Sequence, residues 1–119
     1  MLNDATCFKN VFIVCGYTDL RSGIDRLASI IEAQTGKKPF VPDTLYLFCG
    51  RRTDRIKGLV WENDGFLLLY KRLAQGKYQW PRNEQDVRLL SPQQFRWLME
   101  GLTVTPKKSV KHVKPEYVA

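Results

Sequence analysis

The sequence predicts an α+β fold: a mostly antiparallel β-sheet, much of it a meander, with two principal α-helices and a basic, flexible C-terminal tail. Three observations lead there. Runs of β-branched, aromatic and aliphatic residues at 45–49, 56–61 and 66–73 are separated by two polar, glycine-containing breaks at 50–55 and 63–65, the pattern of antiparallel strands joined by short turns. Two other stretches, behind Ser22 and Ser91, repeat apolar residues at helical spacing after a capping signal. From Thr105 onward lysines and prolines replace any apolar stripe.

In chain order, residues 11–15 (Val-Phe-Ile-Val-Cys), closed by Gly16, read as a strand buried on both faces. Ser22 and Asp25 have capping-box spacing, Ile24, Leu27, Ala28, Ile30 and Ile31 supply the apolar side of a helix, and Gly36 ends it. Residues 37–43, with Pro39 and Pro42, are a connection. After the meander, residues 76–81 (Gly-Lys-Tyr-Gln-Trp-Pro) read as one more short strand, and residues 87–90 as another. Ser91, Pro92 and Gln94 open the second helix, whose stripe is Phe95, Leu98, Met99 and Leu102 and whose end is marked by Gly101. Leu67, Leu68 and Leu69 are consecutive, so the sheet is apolar on both sides and needs cover on both. One helix on each face, or both on one face with a partner or second copy on the other, satisfies that need equally, and a homo-oligomer belongs among the expectations.

Length allows a single core, so residues 1–106 form one domain and 107–119 the tail. No apolar run approaches the roughly 20 residues of a membrane span, and no leader pattern is present, so the expectation is a cytoplasmic protein, with association to the nucleoid as a variant. Cys7, Cys15 and Cys49 form no C-x-x-C pair and read as buried reduced thiols. The single histidine, His112, lies in the tail, and neither metal nor cofactor is expected.

The formal charge of +7 is uneven. Residues 51–82 hold eight Lys or Arg against three acids, and residues 107–119 four against one. A localised excess points to a polyanion, most simply nucleic acid. Gly50 lets the chain turn into a loop bearing Arg51, Arg52 and Arg55, whose guanidinium groups repel one another unless Asp54 or an anion offsets them. With Lys57, Lys71, Arg72, Lys77, Arg82 and the tail residues Lys107 and Lys108, they are the candidate phosphate contacts, and Trp61, Tyr70, Tyr78 and Trp80 are candidate stacking surfaces.

Catalytic chemistry is sparse. One tail histidine does not make a Ser-His-Asp triad or a two-histidine nuclease, and no phosphate-loop motif occurs. The carboxylates have structural roles ready to hand: Asp25 in the cap, Asp64 in a turn before Gly65, and Asp54 among the arginines. The residues read as a binder rather than an enzyme.

The blocks Asp19-Leu20-Arg21-Ser22-Gly23-Ile24-Asp25-Arg26-Leu27, Leu47-Phe48-Cys49-Gly50-Arg51-Arg52-Thr53-Asp54-Arg55-Ile56-Lys57, Trp61-Glu62-Asn63-Asp64-Gly65-Phe66 and Tyr70-Lys71-Arg72-Leu73, with Gly76 and Trp80-Pro81, resemble the TnpB accessory proteins of bacterial insertion-sequence family sixty-six. These are distinct from the RNA-guided nucleases that share the name. The resemblance spans residues 10–103, and the tail lies outside it. The family's D-M-R-K-G stands here as Asp19-Leu20-Arg21-Ser22-Gly23, without the lysine, so any DNA contact that lysine makes is lost in this chain. The resemblance implies a non-catalytic accessory factor of transposition, encoded beside a separate transposase, and supplies no catalytic residues. Three expectations follow, in order: a DNA binder acting through the arginine loop; a module that docks on the transposase without touching DNA; and a metal-dependent nuclease subunit.

Overall fold

The computed structural model describes residue 2, residues 7–82 and residues 86–105. The chain runs β1 (Asn10–Val14), α1 (Ile24–Thr35), β2 (Thr44–Cys49), β3 (Arg55–Trp61), β4 (Phe66–Arg72), β5 (Val87–Leu90) and α2 (Pro92–Met99). The strands form one five-stranded sheet in the order β4-β3-β2-β1-β5. The meander β2-β3-β4 is antiparallel as expected, and β5 is antiparallel to β1. The β1 and β2 strands are parallel, because α1 carries the chain from the end of one back to the start of the other.

Strand alternation sorts the apolar residues into two cores. On one face Val14, Tyr46, Phe48 and Leu59 pack with Leu27 and Ile31 of α1. On the other, Val11, Ile13, Leu45, Leu47, Ile56, Val60 and Leu90 pack with Phe95 and Leu98 of α2. Each buried Leu or Phe contributes about 1.5–3 kcal/mol. The sheet is therefore covered by one helix on each face, which settles the alternative that periodicity left open.

The second capping box forms in full: Gln94 donates its backbone N–H to the Ser91 hydroxyl, and its side chain accepts from the Ser91 N–H. The first does not. Gly23 is the N-cap of α1 and no side chain caps it; Ser22 is buried, closing a turn with the Asp19 carbonyl. Gly36 ends α1 as expected, in the left-handed region at φ 71°.

Residues 76–81 are not a strand. They run beside the sheet without a ladder, tied by Tyr78 N–H to the Thr53 carbonyl, the Trp80 indole N–H to the Val14 carbonyl, and Gly16 N–H to the Pro81 carbonyl. Tyr78 and Trp80 thereby complete the α2-side core. Of the cysteines, Cys15 and Cys49 are buried thiols as expected, whereas Cys7 is exposed. The expected flexible tail, residues 107–119, lies outside the described residues.

Candidate nucleic-acid interface

The loop between β2 and β3 carries the arginines and is held from several sides. Thr18 N–H donates to the Cys49 carbonyl, Leu73 N–H to the Asp54 carbonyl and Tyr78 N–H to the Thr53 carbonyl. Gly50 has its place through contact rather than through a turn conformation: a Cβ there would lie 3.2 Å from Leu20 Cγ and 3.3 Å from the Thr18 carbonyl oxygen. The segment 17–21 thus packs directly on the loop, and between them and the β3-β4 hairpin opens a cleft of about 990 Å³.

Four of the predicted phosphate contacts line this cleft: Arg51, Arg52, Arg55 and Lys57. Arg51 and Arg52 are exposed and have no ion pair to a described carboxylate. Arg55 is half-buried and paired with Asp54, its Nε donating at 3.0 Å, as the sequence allowed. The hydrogen bond from Arg55 pulls the Asp54 carboxyl below its ordinary range. Arg72 lies opposite Arg55 in the β3-β4 register, an exposed like-charged cross-strand neighbour outside the cleft lining. Lys57 faces the same way but donates to the Ser22 carbonyl at 3.1 Å, tying the hairpin to the start of α1.

The other predicted contacts lie elsewhere. Lys71 pairs with Ile56 across the hairpin and points to the α2 side of the sheet. Lys77 is exposed on the segment 76–81. Arg82 is a strut: its guanidinium donates to the carbonyls of Gly16 (3.0 Å) and Gly50 (2.6 Å) and lies over the Tyr17 ring, 4.0 Å from the centroid. Both Nη atoms are thus engaged within the protein, so its charge serves the frame of the cleft as well as the expected phosphate contact. Lys107 and Lys108 lie outside the described residues.

Among the predicted stacking residues only Tyr70 fits. It is 56% exposed, lines the cleft and stands opposite Lys57. Trp61 packs against Phe40 and Phe66, and Tyr78 and Trp80 are buried. The structure adds Tyr17, 60% exposed on the same cleft, with Arg51 5.9 Å from its centroid. It also adds a forked pair in which Arg21 donates from Nε and Nη2 to the two oxygens of Asp19, at 3.0 and 2.8 Å. Arg21 donates again from its backbone N–H, and together these bonds hold the Asp19 carboxyl down at about 2. Leu20 and Leu68 supply apolar lining. Sequence reasoning missed Tyr17 because a tyrosine in a polar turn has no periodicity; the one available signal was its position just past a buried strand.

Among the described residues no group of three metal-binding side chains occurs, and no helix is long and apolar enough to cross a membrane. The Cys49 thiol is pushed up to about 11 by burial, so it stays protonated.

Comparison with known proteins agrees with the resemblance. The family model described as IS66 Orf2 like protein matches residues 9–109, which reaches into the basic tail. Uncharacterized protein y4hO of Sinorhizobium fredii is 32% identical over 92 residues, covering 77% of this chain and 79% of that protein. Uncharacterized protein y4jC of the same organism is 29% identical over 101 residues, 85% of this chain and 86% of its own length. No solved structure matches. With the family model covering most of the chain and y4hO more than 30% identical over three-quarters of it, this protein belongs to the IS66 Orf2-like family.

Proposed function

We propose that the protein is a non-catalytic accessory factor of insertion-sequence transposition that binds DNA through the cleft beside the β2-β3 loop. Family membership supports the accessory role in transposition. The DNA contact rests on one observation: Arg51 and Arg52 stand exposed and without a described carboxylate partner at a cleft further lined by Arg55, Lys57 and Arg21. Arginine forks match phosphate geometry and stay charged at any working pH. Against a catalytic reading stand the carboxylates themselves, since Asp19 and Asp54 are each bonded to a guanidinium rather than free to hold a metal. Titration of fluorescent DNA at increasing salt tests the proposal: log affinity should fall linearly with log salt, by about 0.7 to 0.9 for each phosphate neutralised. A salt-independent affinity, or none at low salt, refutes it.

A second reading, docking on the transposase, is favoured by the far end of β3. There Phe40, 51% exposed, packs tilted against Trp61 and Phe66, with ring centroids 4.9 and 5.6 Å away, an aromatic patch at the opposite end of β3 from Arg55. Co-purification with the element's transposase from nuclease-treated extract tests it, and loss of the complex in a Phe40→Ser protein locates it. Failure to co-purify at any salt counts against it.

A further inference from the structure

The cleft is built for more than a phosphate backbone. Its rim carries Arg51 and Arg52, but its lining includes Leu20 and Leu68, and two exposed phenol rings, Tyr17 and Tyr70, face into it from different elements. A duplex presents a convex, charged cylinder whose base faces are covered by stacking, and uncovering one costs unstacking energy. An unstacked base carries no such cost: every base has a π-face, and tyrosine stacks on it with little regard to sequence.

Charge placement allows phosphates beside those rings. Asp19 also lines the cleft but is held by Arg21, whereas Arg51 and Arg52 stand without a described carboxylate partner. Both rings are fixed in advance. Tyr17 is held by the Arg82 guanidinium at 4.0 Å, itself bonded to two carbonyls, and Tyr70 sits in the β3-β4 ladder with its hydroxyl beside Arg55. An exposed ring that is held rigid loses little freedom on stacking.

We infer that the protein engages single-stranded DNA in preference to duplex, taking an unstacked base between Tyr17 and Tyr70 with its flanking phosphates on Arg51 and Arg52. This rests on the DNA-binding reading above and names the form of DNA that the cleft fits.

The test compares three labelled probes on the full chain at one salt concentration: a thymidine oligonucleotide, an abasic strand of equal length and phosphate count, and a duplex of equal length. The thymidine strand should bind about tenfold or more tightly than the abasic strand, and more tightly than the duplex. A Tyr17→Ala/Tyr70→Ala protein should lose that preference, and a Tyr17→Phe/Tyr70→Phe protein should retain it. Equal binding of thymidine and abasic strands, or tighter binding of duplex, overturns the inference and leaves DNA binding through phosphates intact. Binding of none of the three removes the DNA reading itself. The comparison of probes on the unaltered protein decides the matter even if the alanine variant fails to fold.

Discussion

Arg82 donates from Nη2 to the carbonyl of Gly50 at 2.6 Å, joining the segment after the meander to the start of the arginine loop. From Nη1 it also holds the Gly16 carbonyl. A residue counted with the phosphate contacts by charge alone is thus part of the frame that shapes the cleft. Arg82→Ala leaves two carbonyls without their donor and should cost about 2 kcal/mol, since a hydrogen bond to a charged group contributes roughly 1.5–3 kcal/mol. Arg82→Lys should recover less than half, because an ammonium lacks the planar group that reaches the two carbonyls from separate nitrogens while lying over Tyr17. Urea denaturation measures both; an alanine protein as stable as the parent contradicts the strut.

The serines before the two helices make a paired prediction. Ser91→Ala removes the acceptor for the Gln94 N–H and should destabilise by about 1 kcal/mol. Ser22→Ala removes no capping bond and should cost less than Ser91→Ala. Thermal melting of the two variants should separate them, and equal losses would mean that Ser22 caps α1 after all.

Asp19 sets a pH expectation. Its folded value, about 2, is below the ordinary 3.8 because Arg21 donates to the ionised form from side chain and backbone. A depressed carboxyl stabilises the fold fully above its unfolded value, and that contribution fades as pH falls from about 4 toward 2. Carboxyl NMR should place the Asp19 midpoint near 2 and show it rising toward 3.8 in an Arg21→Ala protein. A midpoint unchanged by that substitution would show that Arg21 is not the cause.

Much of the fold is legible in local chemistry. The meander shows itself because its strands are adjacent in sequence and its breaks are polar, and α2 shows itself because Ser91, Pro92 and Gln94 each serve one capping role. The failures come where distant residues decide. Ser22 and Asp25 have the right spacing, but the Ser22 carbonyl is held by Lys57, 35 positions on, and the helix begins one residue later than a Ser22 cap requires. Tyr78 and Trp80 alternate inward as in a strand, yet the Tyr78 backbone N–H bonds to a loop carbonyl and the Trp80 indole N–H to a strand carbonyl, not to a ladder. The arginine loop was readable as a unit; its partners Tyr17 and the Asp19-Arg21 fork were not, since only the fold brings segment 17–21 against Gly50.

The most direct test of the account is the salt dependence of DNA binding in an Arg51→Ala/Arg52→Ala protein. Both side chains are exposed, so the melting temperature should stay at the parent value. Affinity should drop, and the slope of log affinity against log salt should flatten by about 1.4 to 1.8, the share of two phosphate contacts. An unchanged slope with unchanged affinity would contradict the assignment of this cleft to DNA.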